Sequence, residues 1–171
     1  MKKKLGLETI RIGVIAALYC ALILLLAPLS FGPIQFRPSN LMMALIFHPT
    51  LGLSAAIGIS IGGILSNFFG PFGLPDVLIG SVLCGWPAIT FLYFSGRWAY
   101  RRKQDQPWLA LAFFIECTYV AFIIGYVLLH LAFDLPAFSV VTVWIGEVVT
   151  KPIGISLLWP VIKKVFPYSY D

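Results

Sequence analysis

Residues 16–40 read AALYCALILLLAPLSFGPIQFRPSN. An apolar helix with a small-residue face runs into a turn punctuated by Pro and Gly, and the turn ends in Gln35, Arg37, Ser39 and Asn40. Such a junction is where a membrane span meets a polar site.

The remainder of the chain agrees with that reading. Hydrophobic residues are 60% of the 171 and charged ones 11%, which leaves no polar face large enough to keep a compact chain in water. The fold class is all-α and polytopic, an integral membrane protein. A net charge of +5 does not point to nucleic acid, because the twelve Lys and Arg fall in short clusters between apolar runs. Cys20, Cys84 and Cys117 lie in apolar runs without CxxC spacing or a neighbouring His, and read as buried thiols.

A hydrocarbon core of ~30 Å asks for about 20 helical residues. The apolar run at 12–29 is longer than a signal core of ~7–15 residues and no small-x-small cleavage site follows it, so it is expected to stay as the first span. Long spans are expected near 10–30, 77–95, 108–131 and 139–161. The stretch 38–69 is too long for one span and short for two; HPTLG at 48–52 divides it into short helices near 38–49 and 52–68. The expectation is six transmembrane helices in one domain, 1–171. Lys2, Lys3 and Lys4, then Arg97 with Arg101 to Lys103, then Lys163 and Lys164 should share one side, which puts both termini in the cytoplasm of a prokaryotic cell. A four-span version, with the short pair re-entrant, satisfies the same parity.

This topology gathers Gln35, Arg37, Asn40, Asn67 and Asp76 at the outer leaflet. Glu147 lies about eight residues into the last span, roughly 12 Å deep. A charge near mid-bilayer costs about 2.5–3.5 kcal/mol on insertion scales, so Glu147 should either line a wet cavity or pair with Lys151 four residues on. Glu116 has the same two readings, ligand contact or interhelical bond. Trp86 and Trp144 fall within spans, where a flat ligand could stack on them, whereas Trp98, Tyr100, Trp108, Trp159 and Tyr168 read as interface belts. No Ser/His/Asp set, HExxH, paired metal ligands or phosphate loop is present, so neither an enzyme nor a bound cofactor or metal is expected. Ala16, Ala17 and Ala21 form AAxxxA, a surface on which another helix can approach closely.

The run at 17–37, Ser66 and Asn67 ahead of a Gly-rich turn and Asp76, Gly80 with Ser81, and Gly146 with Glu147 together resemble the QueT family over nearly the whole chain. Those proteins are substrate-binding S components of energy-coupling factor (ECF) transporters. The resemblance implies a six-helix S-component bundle with an extracytoplasmic pocket beneath the loop after the first helix. It further implies that Ala16, Ala17 and Ala21 meet a transmembrane coupling subunit, and that two partner ATPases hydrolyse the ATP. The implied substrate is a queuosine precursor, a deazaguanine base, held by Gln35, Arg37, Asn40, Asn67, Asp76 and Glu147 with Trp144 as a stacking surface. One position departs: the family segment after FR usually resembles VSEA, and here Asn40 stands where an acid is expected. Two other readings of the residues are a standalone ion-coupled carrier, relaying protons through Glu116 and Glu147, and a membrane adaptor whose polar groups only join helices.

Overall fold

In a bilayer a backbone must satisfy its own hydrogen bonds, so the apolar runs have little choice but to be helical. The computed structural model describes residues 2–32 and 35–168; the side chains of residues 2–5, and with them the Lys2 to Lys4 cluster, and of residue 105 lie outside the described part. Its elements are α1 (Lys2–Leu25), α2 (Pro38–Phe47), α3 (Gly52–Phe69), α4 (Gly73–Arg102), α5 (Gln106–Ala132) and α6 (Ser139–Val165), with no strand among the described residues. Five of the six are long and apolar enough to cross a membrane, and α2 is the shorter exception. The chain is thus an all-helical, multi-pass membrane protein, the class expected from composition.

The bundle inverts the packing logic of a soluble protein. On α3 the large residues Leu53, Ile57, Ile61 and Leu65 recur every fourth position and are exposed, while Ala55, Gly58, Gly62 and Ser66 are buried. Lipid receives the bulky stripe, and the small stripe lets helices close up. Gly58 sits against Ile12 and Ile15, and Gly62 against the Ala16 carbonyl and Tyr19, so α1 and α3 run parallel in tight contact.

The short α2 is the interior post of the bundle. Six residues of 3-10 winding and four of α winding advance the chain by roughly 18 Å. At its start Arg37 lies near Asp76, the first residues of α4; just past its end Arg97 of α4 donates hydrogen bonds to the carbonyls of His48, at 3.2 Å, and Pro49. The helix therefore links opposite ends of α4. It does so inside protein: Ala44 and Ile46 are fully buried, and Phe47 packs on Phe113 and Trp159. Gly96 makes room for it, since a Cβ there would strike the Phe47 carbonyl. Trp159, placed by sequence in an interface belt, is fully buried in this contact instead.

The parallel pairing of α1 with α3 brings the start of α1 to the end that holds Gly52 and Arg97. His48 fixes the C-terminal segment there too, with its ring nitrogen Nε2 2.8 Å from the Phe166 carbonyl. Arg97, Arg101, Lys163 and Lys164 accordingly share one basic end. Wider, π-type winding covers Asp76–Gly85, Ala121–Ala132 and Val149–Ile155, the last around Pro152, whose missing N–H cannot continue the α ladder.

Candidate functional site

Towards the end opposite those basic residues, the helices part around a chamber. It is reached by Tyr19 of α1, Asn40 of α2, Ser60, Gly63 and Asn67 of α3, Gly80, Ser81 and Trp86 of α4, Glu116 of α5, and Glu147 and Lys151 of α6; Gln35 and Arg37, in the link before α2, complete the wall. Its volume is about 70 Å³.

One wall is a continuous chain of polar contacts. Tyr19 donates its hydroxyl to Asn40 Oδ1 at 2.8 Å, and Asn40 Nδ2 donates to both Glu147 oxygens at 3.2 and 3.3 Å. Lys151 Nζ then joins Glu147 at 2.6 Å to Glu116 at 2.7 and 2.8 Å. All five side chains are buried. Two carboxylates share one ammonium, which leaves a formal charge of −1 on this wall. Pairing makes burial of the charges tolerable, and the Asn40 amide nitrogen donates to both oxygens of Glu147.

A second acidic pole lies near the mouth. Asp76 is fully buried, and its nearest cation, Arg37, approaches Oδ2 only to 3.9 Å. Among the described residues neither carboxylate oxygen has a hydrogen-bond donor, and neither Gln35 Nε2 nor Asn67 Oδ1 has a partner. Gly80 lines the chamber and Asp76 packs directly behind it, where a Cβ at Gly80 would collide with Asp76 Oδ1. Arg37 is held by three contacts: Nε donates to the Ser30 carbonyl at 3.0 Å, Nη2 reaches Gln35 Oε1 at 3.4 Å, and the guanidinium lies 5.1 Å over the Phe31 ring. Gln35 itself adopts φ 50°, a left-handed conformation that costs a non-glycine residue roughly 1–2 kcal/mol.

The residues singled out by sequence divide as follows. Gln35, Arg37, Asn40, Asn67 and Glu147 line the chamber, and Asp76 stands behind Gly80. Trp144 does not reach it; its indole N–H bonds Thr118 Oγ1 at 3.2 Å and its ring meets Phe114 on α5. Trp86 is the tryptophan in the wall. Of the three alanines, Ala16 is buried against Gly62 within the chain, while Ala17 and Ala21 are exposed. Tyr19 and the cavity role of Lys151 escaped the sequence reading. A lysine within an apolar span is the available signal, although helical spacing alone pairs it only with Glu147. Among the described residues no cluster of His, Cys, Asp or Glu has the make-up of a metal site.

A multi-pass helical bundle that encloses a charged chamber between its spans defines a membrane transport protein. Residues 9–163 match the family described as QueT transporter, and the chain belongs to that family, as its residues suggested. It is 31% identical over 138 residues to the queuosine precursor transporter QueT of Lactococcus lactis subsp. cremoris (strain MG1363), an alignment covering 78% of this chain and 77% of that one. No solved structure matches.

Proposed function

We propose that the chain is the substrate-binding membrane subunit of an ECF-type importer, and that its substrate is a queuosine precursor, a deazaguanine base with an aminomethyl arm. The observation that carries this reading is an acidic wall, Glu147 within a set of net negative charge, with a second carboxylate, Asp76, packed just behind the chamber at Gly80 and without a hydrogen-bond donor among the described residues. A guanine-like edge offers adjacent N–H donors to one carboxylate, and an ammonium arm offers charge to the other. The relative from L. lactis is named for transport of such a precursor. Asn40, where the family expects an acid, acts by holding Glu147 in place: it supplies donors to that carboxylate and leaves recognition of the cation to Glu147.

By the positive-inside rule the basic end faces the cytoplasm and the chamber opens outward. Ligand pockets usually measure roughly 300–1,000 Å³, so a chamber of about 70 Å³ admits a bicyclic base only after its wall moves. The chain carries no nucleotide-binding motif, and energy would come from two ATPases through a coupling subunit that meets Ala17 and Ala21 on α1. Tryptophan fluorescence tests the substrate, since Trp86 lies in the wall. Saturable quenching by an aminomethyl deazaguanine, lost in Asp76→Asn and Glu147→Gln, supports the assignment; a different copurifying metabolite with no response to deazaguanines overturns it. The subunit role is tested by uptake in cells. Accumulation that persists without ECF partners would favour a standalone carrier, the reading that the buried Glu116, Lys151 and Glu147 cluster otherwise supports.

A further inference from the structure

A second cleft, of about 810 Å³, opens at the basic end between α4 and α5. Tyr93, Phe94, Arg97, Trp98, Arg101 and Trp108 shape it. Its described charges are basic: Arg97 and Arg101 line it and Arg102 lies beside it, none with a carboxylate partner among the described residues. Arg97 is fixed by the His48 and Pro49 carbonyls with its guanidinium 4.7 Å over the Tyr93 ring, so it contributes a stationary positive charge. Arg101 is exposed and free to reach a ligand. Arg102 lies 5.5 Å over Trp98, whose ring is 4.5 Å from that of Trp108. Trp108 adds an indole N–H that is buried and has no acceptor among the described residues. Phe94, 64% exposed, extends the wall along the face that lipid tails would cover.

The geometry points to a binding site for an anionic phospholipid headgroup of the leaflet at the basic end. Guanidinium groups and an indole N–H are donors matched to phosphate oxygens. Tryptophans place the cleft at headgroup depth, and Phe94 offers an apolar surface to the first part of an acyl chain. A basic residue near a membrane surface is worth about 1 kcal/mol towards an anionic lipid, which is about a fivefold change in retention per arginine removed.

Native mass spectrometry of the purified chain with phosphatidylglycerol or phosphatidylcholine at equal concentration reads this directly. Selective retention of phosphatidylglycerol is expected, falling about fivefold in Arg101→Gln and declining again when Trp108→Phe is added. Lys163→Gln, a charge removed at the same end but outside the cleft, should keep the selectivity. Equal retention of the two lipids, or equal loss in Lys163→Gln and Arg101→Gln, overturns the site. So does complete displacement by millimolar inorganic phosphate, which would mark a free-anion site. Thermal unfolding of each variant separates lost binding from lost fold, and Arg101→Gln, at an exposed residue, should leave the midpoint unchanged.

Discussion

Lys151 is the residue on which the chamber depends most, since among the described residues it alone pairs with Glu116 and Glu147. Removing one partner of a buried ionic set leaves uncompensated charge and costs about 3–5 kcal/mol. Lys151→Met should therefore lower the midpoint of thermal unfolding in detergent sharply, and pairing it with Glu116→Gln and Glu147→Gln should restore much of the loss. If the single and triple variants unfold alike, the cluster is not a stabilising unit. Asn40→Asp makes the opposite error, setting a third carboxylate against Glu147; ligand affinity, read by the same fluorescence titration, should fall at least tenfold. At this scale the sequence conveyed depth well and facing poorly. Counting residues along spans puts Gln35, Asn40 and Asn67 at the outer leaflet and Glu147 about 12 Å below them, and all four line one chamber. Counting could not say that Trp144 turns to Phe114, or that Ala16 faces inward while Ala17, about 100° further round the helix, faces out. A helix apolar on all sides has no polar stripe to announce its orientation.

Among the elements, α2 and the turn after it were legible because HPTLG interrupts an apolar stretch of awkward length, but the partners of that turn came from 118 residues away. His48 donates to the Phe166 carbonyl and accepts from the Thr50 N–H at 3.3 Å, a pattern that needs a neutral ring. Burial holds its pKa below the ordinary 6.5 and the Arg97 charge acts the same way, against the opposing effect of the Phe166 carbonyl. The unfolded chain then takes up the proton first as pH falls. This contribution to stability is complete above about pH 6.5 and declines below it. Unfolding midpoints measured between about pH 8 and pH 5 should drop more steeply for the wild type than for His48→Gln; parallel curves would remove His48 from the account. The α1 and α3 pair makes a simpler demand. A leucine at Gly62 must displace the Ala16 carbonyl, and overpacking of this kind costs about 1–3 kcal/mol, so Gly62→Leu should unfold at lower temperature while the exposed Ile61→Leu does not.

For the whole molecule, sidedness is the property from which the rest follows. Thr50 is exposed in the turn at the basic end, and in a cysteine-free background Thr50→Cys should react with an impermeant thiol reagent only after the cells are opened. Labelling in intact cells would reverse the orientation and with it the direction in which the chamber faces. The small volume of about 70 Å³ carries a further consequence, one of timing. When a cavity has no spare room, arrival and departure of its occupant wait on the same movement of the wall. Association should then level off as ligand concentration rises, at the frequency with which the wall opens, and residence time should follow closure more than the number of hydrogen bonds made. A variant that loosens the wall would bind faster and release faster, with little net change in affinity.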